Sequence, residues 1–294
     1  MVDVAILGTG RMGAAMARRV AAAGHDLVVW NRTERSAQIL LGSLAAGCAR
    51  VARTAADAVA GRAVVLSMLA DGAATREVIL DSSVLDALAA GAVVCDLATS
   101  GVATAVALRE RLAQAAIAYV DAPVSGSVPA VNAGTLLVMA SGEPAAIATV
   151  EPVLRAFARK VLRVGDAGTG QAMKLAVNLV VHDLNAAISE ALILAESAGI
   201  PRDSAYDVLQ DSVVAAPFVA YKRAAFLDPA TPVAMSLDLV LKDLRLITEF
   251  AAELAVATSV TESVRAAVAA ACAAGLGPED MAALSRFRRT DPVS

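Results

Sequence analysis

Six short runs of uninterrupted apolar residues set the strongest limit on the fold. VAILG (4–8), DLVVW (26–30), AVVLSM (63–68), AVVCDL (92–97), AYVDAP (118–123) and TLLVMAS (135–141) recur through the first half of the chain, with stretches of helical character between them. Runs that do not alternate with polar residues suit strands buried on both faces. Strand–helix repetition joins such strands by crossovers and predicts a parallel, doubly wound sheet. After the first run, a helical pattern extends from Met12 to Ala23 and stops at Gly24.

The second half changes character. Beyond VLRVGDAGTG (161–170) no strand pattern is evident, and Gly170 to Ser197 holds no proline or internal glycine before Gly199 and Pro201. That predicts one helix of roughly 40 Å at 1.5 Å per residue. Further helices are expected at 203–211, 236–255 and 258–274. The length of 294 residues accommodates two domains. The expected fold class is α/β: an N-terminal Rossmann-type doubly wound sheet over residues 1–163, then an all-α C-terminal domain over 164–294.

Composition narrows the function classes. The chain is 57% hydrophobic but only 3% aromatic, so alanine and aliphatic residues must build the core from closely packed helices. Mean hydropathy is +0.63. The greasiest stretches, 63–69 and 175–181, fall short of the roughly 20 apolar residues that a bilayer requires, so no membrane span is expected. The apolar excess is expected instead at a subunit interface. The start MVDVAILGTG lacks a basic region and a cleavage site, so no signal peptide is expected. Net charge is −4, and the one basic cluster, Arg286, Arg288 and Arg289, reads as a solvated tail, so no nucleic-acid partner is expected. Cys48, Cys95 and Cys272 are scattered, which suits reduced thiols in the cytoplasm. Two histidines, His25 and His182, exclude a cage of several histidines, and no metal site is expected.

GTGRMG (8–13) fits G-x-G-x-x-G in the context that gives the pattern meaning: a strand before it, a helix after it and a second strand near residue 30. Gly8 permits the tight turn, Gly10 lets backbone approach a pyrophosphate, and Gly13 lets helix and strand pack closely. Arg11, Met12 and Gly13 open a helix whose N–H groups and dipole favour phosphate. The second strand ends in Asn31-Arg32-Thr33, where an NAD-preferring site usually carries an acid. Arg32 can pair with a 2′-phosphate and Thr33 can donate to it, so NADP(H) is favoured. NAD(H) stays possible, because Arg32 could equally stack on the adenine of either cofactor.

Four blocks then match a known family. GTGRMGAAMA (8–17) with AAGHDLVVWNRT (22–33), DAPVSGSVPAVNAGTL (121–136), GTGQAMKLAVN (168–178) and LVLKDL (239–244) run nearly the length of the chain. The chain resembles the β-hydroxyacid dehydrogenases, which include 3-hydroxyisobutyrate dehydrogenase, tartronate semialdehyde reductase, glyoxylate/succinic semialdehyde reductase and, more distantly, 6-phosphogluconate dehydrogenase. The resemblance implies hydride transfer between nicotinamide and a small 3-hydroxy acid or its carbonyl partner. It also implies a homodimer or homotetramer formed through the helical domain.

Alcohol oxidation needs a group that takes the hydroxyl proton while hydride leaves carbon. Lys174 lies one turn into the long helix, and a lysine partly removed from water near other cations can act as acid or base near neutral pH. Asn178 follows at i+4 on the same face and can hold a hydroxyl or carboxylate without adding charge. The resemblance gives both residues these roles. It makes Ser125-Gly126-Ser127 a carboxylate-binding loop, although relatives commonly carry Ser-Gly-Gly there. It places Lys242 and Asp243, in the third helix of the second domain, near the nicotinamide end and the substrate. Thr99 follows a strand end and is expected at the nicotinamide ribose or substrate, while Ala98, Gly101 and Val102 depart from the family's pattern. Met68 and Leu69 are expected to pack on the nicotinamide side. His182 is expected to be a satisfied histidine at the domain junction, and His25 has no chemistry assigned.

Two other readings stand beside this one. Imine reductases resemble this fold but generally lack the helix lysine, so Lys174 argues against that class while Ser127 keeps it open. A non-catalytic nucleotide-binding module would tend to lose Lys174, Asn178 and Thr99.

Overall fold

Alternate residues of the first strands feed two different cores. Val4 and Ile6 of β1 (Asp3–Leu7) join one apolar cluster, and Ala5 and Leu7 join another on the opposite face. The computed structural model describes residues 1–45 and 47–287, which divide into two compact units, Met1–Lys174 and Leu175 onward. Arg288 and Arg289 of the basic cluster lie outside the described residues, and Arg286 pairs with Glu279.

The first unit adds β2 (Asp26–Trp30), β3 (Ala49–Val51), β4 (Val64–Ser67), β5 (Val93–Asp96), β6 (Ala118–Asp121), β7 (Val124–Ser125), β8 (Leu136–Gly142) and β9 (Ala158–Gly165). Between strands run α1 (Arg11–Ala22), α2 (Glu34–Gly42), α3 (Ala55–Val59), α4 (Gly72–Ile79), α5 (Ser82–Ala87), α6 (Val102–Gln114), α7 (Val128–Asn132) and α8 (Pro144–Leu154). Helices α1, α2, α7 and α8 contribute to the first cluster, and α3 to α6 to the second. Both faces are therefore covered, as continuous apolar strands require.

The nine strands are ordered β3-β2-β1-β4-β5-β6-β8-β7, with β9 paired to β8. Strands β1 to β6 pair in parallel, as expected for all but the short β3, which was not anticipated. The fully parallel sheet is corrected at its far end, because β8 runs antiparallel to β6 and β7 and parallel to β9. The segment between β6 and β8 is taken up by β7 and the five-residue α7 rather than by one full crossover helix, and the chain returns in the opposite direction.

The helical part contains α9 (Thr169–Ser197), α10 (Arg202–Asp211), α11 (Pro217–Leu227), α12 (Leu237–Glu253) and α13 (Ser259–Ala271). Helix α9 begins in the last residues of the first unit. The second unit is centred on Ile188, Leu192, Tyr206, Val219 and Phe226. Tyr206 donates its hydroxyl to Val219 O at 2.8 Å, so the phenol enters the core with its polar end satisfied. Lys222 is likewise buried and lies 2.7 and 2.8 Å from the two Asp280 carboxylate oxygens.

Helix α9 is long and apolar enough to cross a membrane by length and composition, although counting only unbroken apolar residues found no such segment. Asn178, His182, Asn185 and Ser189 interrupt the apolar run, and all four are buried. Their spacing of four, three and four residues puts them on one face of the helix. A core helix passes the same length and composition test.

Candidate active site

The glycine loop is shaped by what lies beneath it. Gly8 has φ +100°, and a Cβ there would sit 2.4 Å from Met68 O and 3.1 Å from Leu69 Cδ2. A Cβ on Gly13 would sit 2.0 Å from Gly8 O, so only glycine lets α1 start this close to β1. Met68 and Leu69 thus pack against the loop itself. Nothing lies within 4 Å of the Cβ position of Gly10, and no side chain caps the N-terminus of α1. The N–H groups at this helix start, beside an open backbone at Gly10, fit a dinucleotide pyrophosphate.

Asn31 is committed to the protein. Its Oδ1 accepts from Thr9 N at 3.0 Å and its Nδ2 donates to Thr33 O at 3.0 Å. The side chain ties the glycine loop to the turn after β2 and leaves recognition to its neighbours. Arg32 and Thr33 are exposed, and Thr33 stands at the N-cap of α2 without a side-chain capping bond.

A buried polar row crosses the ends of the central strands, and the sequence reading missed it. Ser67, Asp96, Asp121 and Ser141 are register partners on β4, β5, β6 and β8, and none is accessible. Ser67 Oγ donates to Asp96 Oδ1 at 2.6 Å, and Ser100 Oγ to Asp96 Oδ2 at 2.7 Å. Ser141 Oγ donates to Asp121 Oδ2 at 3.0 Å. Asp121 Oδ2 also accepts from Gly168 N at 3.2 Å and Gln171 N at 2.9 Å, at the start of α9. Burial pushes the Asp121 carboxyl up to about 6, against the hydrogen bonds from Gln171 and Ser141 and with help from neighbouring Asp96. The missed signal is the polar residue that closes each of these apolar strand runs.

Thr99, in the loop after β5, is half-buried. Ser125 ends β7, Gly126 has φ +125°, and Ser127 stands at the N-cap of α7 without a capping bond from its hydroxyl. Lys174 is half-buried on α9.

In the helical unit, the side chains of Asn178, His182, Lys242 and Asp243 converge. Asn178 Nδ2 donates to Asp243 Oδ2 at 2.7 Å, Lys242 Nζ lies 3.0 Å from Asp243 Oδ1, and His182 Nε2 lies 3.6 Å from Asp243 Oδ2. Burial pushes the Asp243 carboxyl up, but the adjoining His182 and Lys242 outweigh it and hold the group below the ordinary carboxylate range. The expectation for His182 is corrected: both ring nitrogens are buried without a hydrogen-bond partner. Three polar residues meet where one turn of α9 faces α12, and 3.6 Å is too long for the histidine to bond. Helix α11 was not anticipated, so Lys242 and Asp243 lie on the fourth helix of this part rather than the third.

Comparison with known proteins matches the chain in two consecutive parts. Residues 3–165 match the NAD binding domain of 6-phosphogluconate dehydrogenase, and residues 168–287 match the NAD-binding of NADP-dependent 3-hydroxyisobutyrate dehydrogenase. A probable 3-hydroxyisobutyrate dehydrogenase of Mycobacterium tuberculosis is 35% identical over 71% of this chain and 69% of its own length. Glyoxylate/succinic semialdehyde reductase 1 of Arabidopsis thaliana is 28% identical over 96% of this chain and 97% of its own. The crystal structure of 3-hydroxyisobutyrate dehydrogenase from Salmonella typhimurium superposes with a TM-score of 0.89 at 28% identity, covering 97% of this chain and 99% of that one. An imine reductase from Pseudomonas sp. shares the fold alone, with a TM-score of 0.64 at 24% identity over 97% of this chain and 98% of its own.

Proposed function

The chain belongs to the β-hydroxyacid dehydrogenase family, and on that premise we propose that it transfers hydride between NADP(H) and a small 3-hydroxy acid or its semialdehyde or keto partner. One observation carries the reading. The first unit combines an uncapped helix N-terminus behind a glycine loop with a half-buried lysine one turn into α9.

Gly8, Gly10, Arg11, Met12 and Gly13 hold the pyrophosphate, and Arg32 and Thr33 hold the 2′-phosphate while Asn31 braces both segments. Met68 and Leu69 back the loop. The bound nicotinamide supplies the hydride acceptor or donor. Lys174 Nζ takes the hydroxyl proton during oxidation and returns it during reduction. Asn178, its amide oriented by Asp243, offers its remaining amide atoms to the substrate hydroxyl or carboxylate. Ser125, Gly126 and Ser127 receive the carboxylate, and Thr99 the nicotinamide ribose or substrate. Lys242 and Asp243 serve the nicotinamide end. We assign residues 1–163 as the nucleotide-binding domain, which also carries Thr99 and the 125–127 loop, and residues 164–294 as the helical substrate and oligomerisation domain.

The exposed Val180, Leu194, Val208 and Val260 of the helical part support assembly into a homodimer or homotetramer. Three free cysteines support a reducing, cytoplasmic setting.

The deciding experiment screens tartronate semialdehyde, glyoxylate, succinic semialdehyde, 3-hydroxyisobutyrate and cyclic imines with NADPH or NADP+ and with NADH or NAD+. Turnover of a hydroxy acid or its carbonyl partner supports the reading. Turnover of imines alone overturns it. Lys174→Ala should lower kcat at least about 100-fold with NADPH binding retained; unchanged kcat removes the lysine from the mechanism.

A further inference from the structure

Gln171 is fully buried on α9, one turn before Lys174. Its amide makes four hydrogen bonds. Oε1 accepts from Ser100 N and Gly101 N, both at 3.1 Å. Nε2 donates to Ala98 O at 2.8 Å and to Asp121 Oδ1 at 3.0 Å. Ala98 and Ser100 flank Thr99, so one side chain grips the backbone on both sides of it. The other carboxylate oxygen of Asp121 accepts from Gly168 N and Gln171 N, which fixes the first turn of the helix.

We propose that Gln171 is a positioning residue for the reaction, locking the Thr99 loop to the turn of α9 that carries Lys174. The inference rests on the reaction proposed above. A carboxamide of this length is required, because it donates twice and accepts twice at one point. Methionine fills a similar volume and makes none of these bonds. An ionised glutamate keeps the bonds from Ser100 and Gly101, loses both donors and adds a third carboxylate beside Asp96 and Asp121. The titratable Cys95 and Tyr119 adjoin the same two acids. A protonated glutamate recovers one donor, so its performance must depend on pH.

The test is steady-state kinetics of Gln171→Met and Gln171→Glu on the substrate that the wild type turns over, with NADPH binding followed by fluorescence. Gln171→Met should lower kcat about 100-fold, the cost of a reacting geometry displaced by about 1 Å, with NADPH affinity within about threefold of wild type. Relative to wild type, Gln171→Glu should lose at least about tenfold more activity at pH 8 than at pH 5.5. Two results overturn the proposal: a Gln171→Met kcat within about threefold of wild type, or a Gln171→Glu loss that is equal at every pH. If Gln171→Met does not fold, the pH series of Gln171→Glu decides. The wild-type substrate screen comes first, so failure of the proposed reaction appears there and failure of positioning appears only in the variants.

Discussion

Asn178 donates an amide hydrogen to the Asp243 carboxylate across 2.7 Å in the interior of the helical unit, and the same carboxylate lies 3.0 Å from Lys242. Asp243 is thus the common partner of a neutral donor and a cation. Removing it leaves the buried Asn178 amide without its acceptor and Lys242 without its counter-ion. Asp243→Ala should cost about 3 kcal/mol of stability, the usual scale for breaking a buried charge pair. The denaturation midpoint measures this, and a loss below about 1 kcal/mol contradicts the pairing.

A second pair carries no proposed chemistry and separates stability from activity. Lys222 meets both oxygens of Asp280, which also accepts from Ala234 N at 2.8 Å and Ala282 N at 3.1 Å. Burial pushes the Asp280 carboxyl up, but Lys222 and these amides hold it below the ordinary range. Lys222→Met should destabilise the helical part by about 3 kcal/mol, since an unpaired carboxylate stays behind. NADPH affinity at the glycine loop should be unaffected at temperatures where the variant is folded, and calorimetry with cofactor titration tests both statements.

Asp121 predicts a pH dependence of the opposite sense to Asp243 and Asp280. Its folded value of about 6 lies above the unfolded value of 3.8, so the folded state holds its proton more tightly. Stability from this group is complete below the unfolded value and is lost as pH rises through the folded one. The difference of about two units corresponds to about 3 kcal/mol between pH 4 and 6.5. Asp243 and Asp280 are shifted downward, so their losses occur at more acidic pH. Unfolding free energy measured across this window should fall with rising pH in the wild type and stay nearly level in Asp121→Asn.

The proposed cofactor choice rests on Arg32, because the Asn31 side chain is bound internally. Arg32→Ala should weaken NADPH about 10- to 100-fold and NADH much less, the scale of a lost charge-assisted hydrogen bond. Equal losses for both cofactors would return Arg32 to a role on the adenine. Asn31→Asp keeps an acceptor for Thr9 N but repels a 2′-phosphate, so it should also lower the NADPH-to-NADH preference.

Parallel strands β1, β2, β4, β5 and β6 were legible because each is a continuous apolar run, whereas β3 was not, being three residues with Arg50 at its centre. Strand β9 was not, since Arg159, Lys160, Leu162 and Arg163 are exposed in consecutive pairs and resemble a loop. The reversal at β8 was invisible for a different reason: strand direction depends on the connection, not on the strand's own residues. Helix α11 escaped because its buried face includes Lys222, which reads as a surface residue until Asp280, 58 positions later, is brought beside it. In the candidate site, Lys174 and the glycine loop sit in local patterns and could be named. Gln171 could not, because its partners at 98, 100, 101 and 121 come together only in the folded chain.

The row Ser67, Asp96, Asp121 and Ser141 bears on how such a scaffold can be re-engineered. Each member fills a bonding demand of the row or of the segments it anchors, so none can be exchanged without stranding an oxygen or an amide in a dry interior. The loop at 97–101 is itself tied to the row by Ser100 and held by Gln171. Transplanting a segment at 97–101 or 125–127 from another enzyme should therefore succeed when the donor brings the same foundation, and fail when only the visible tip is copied.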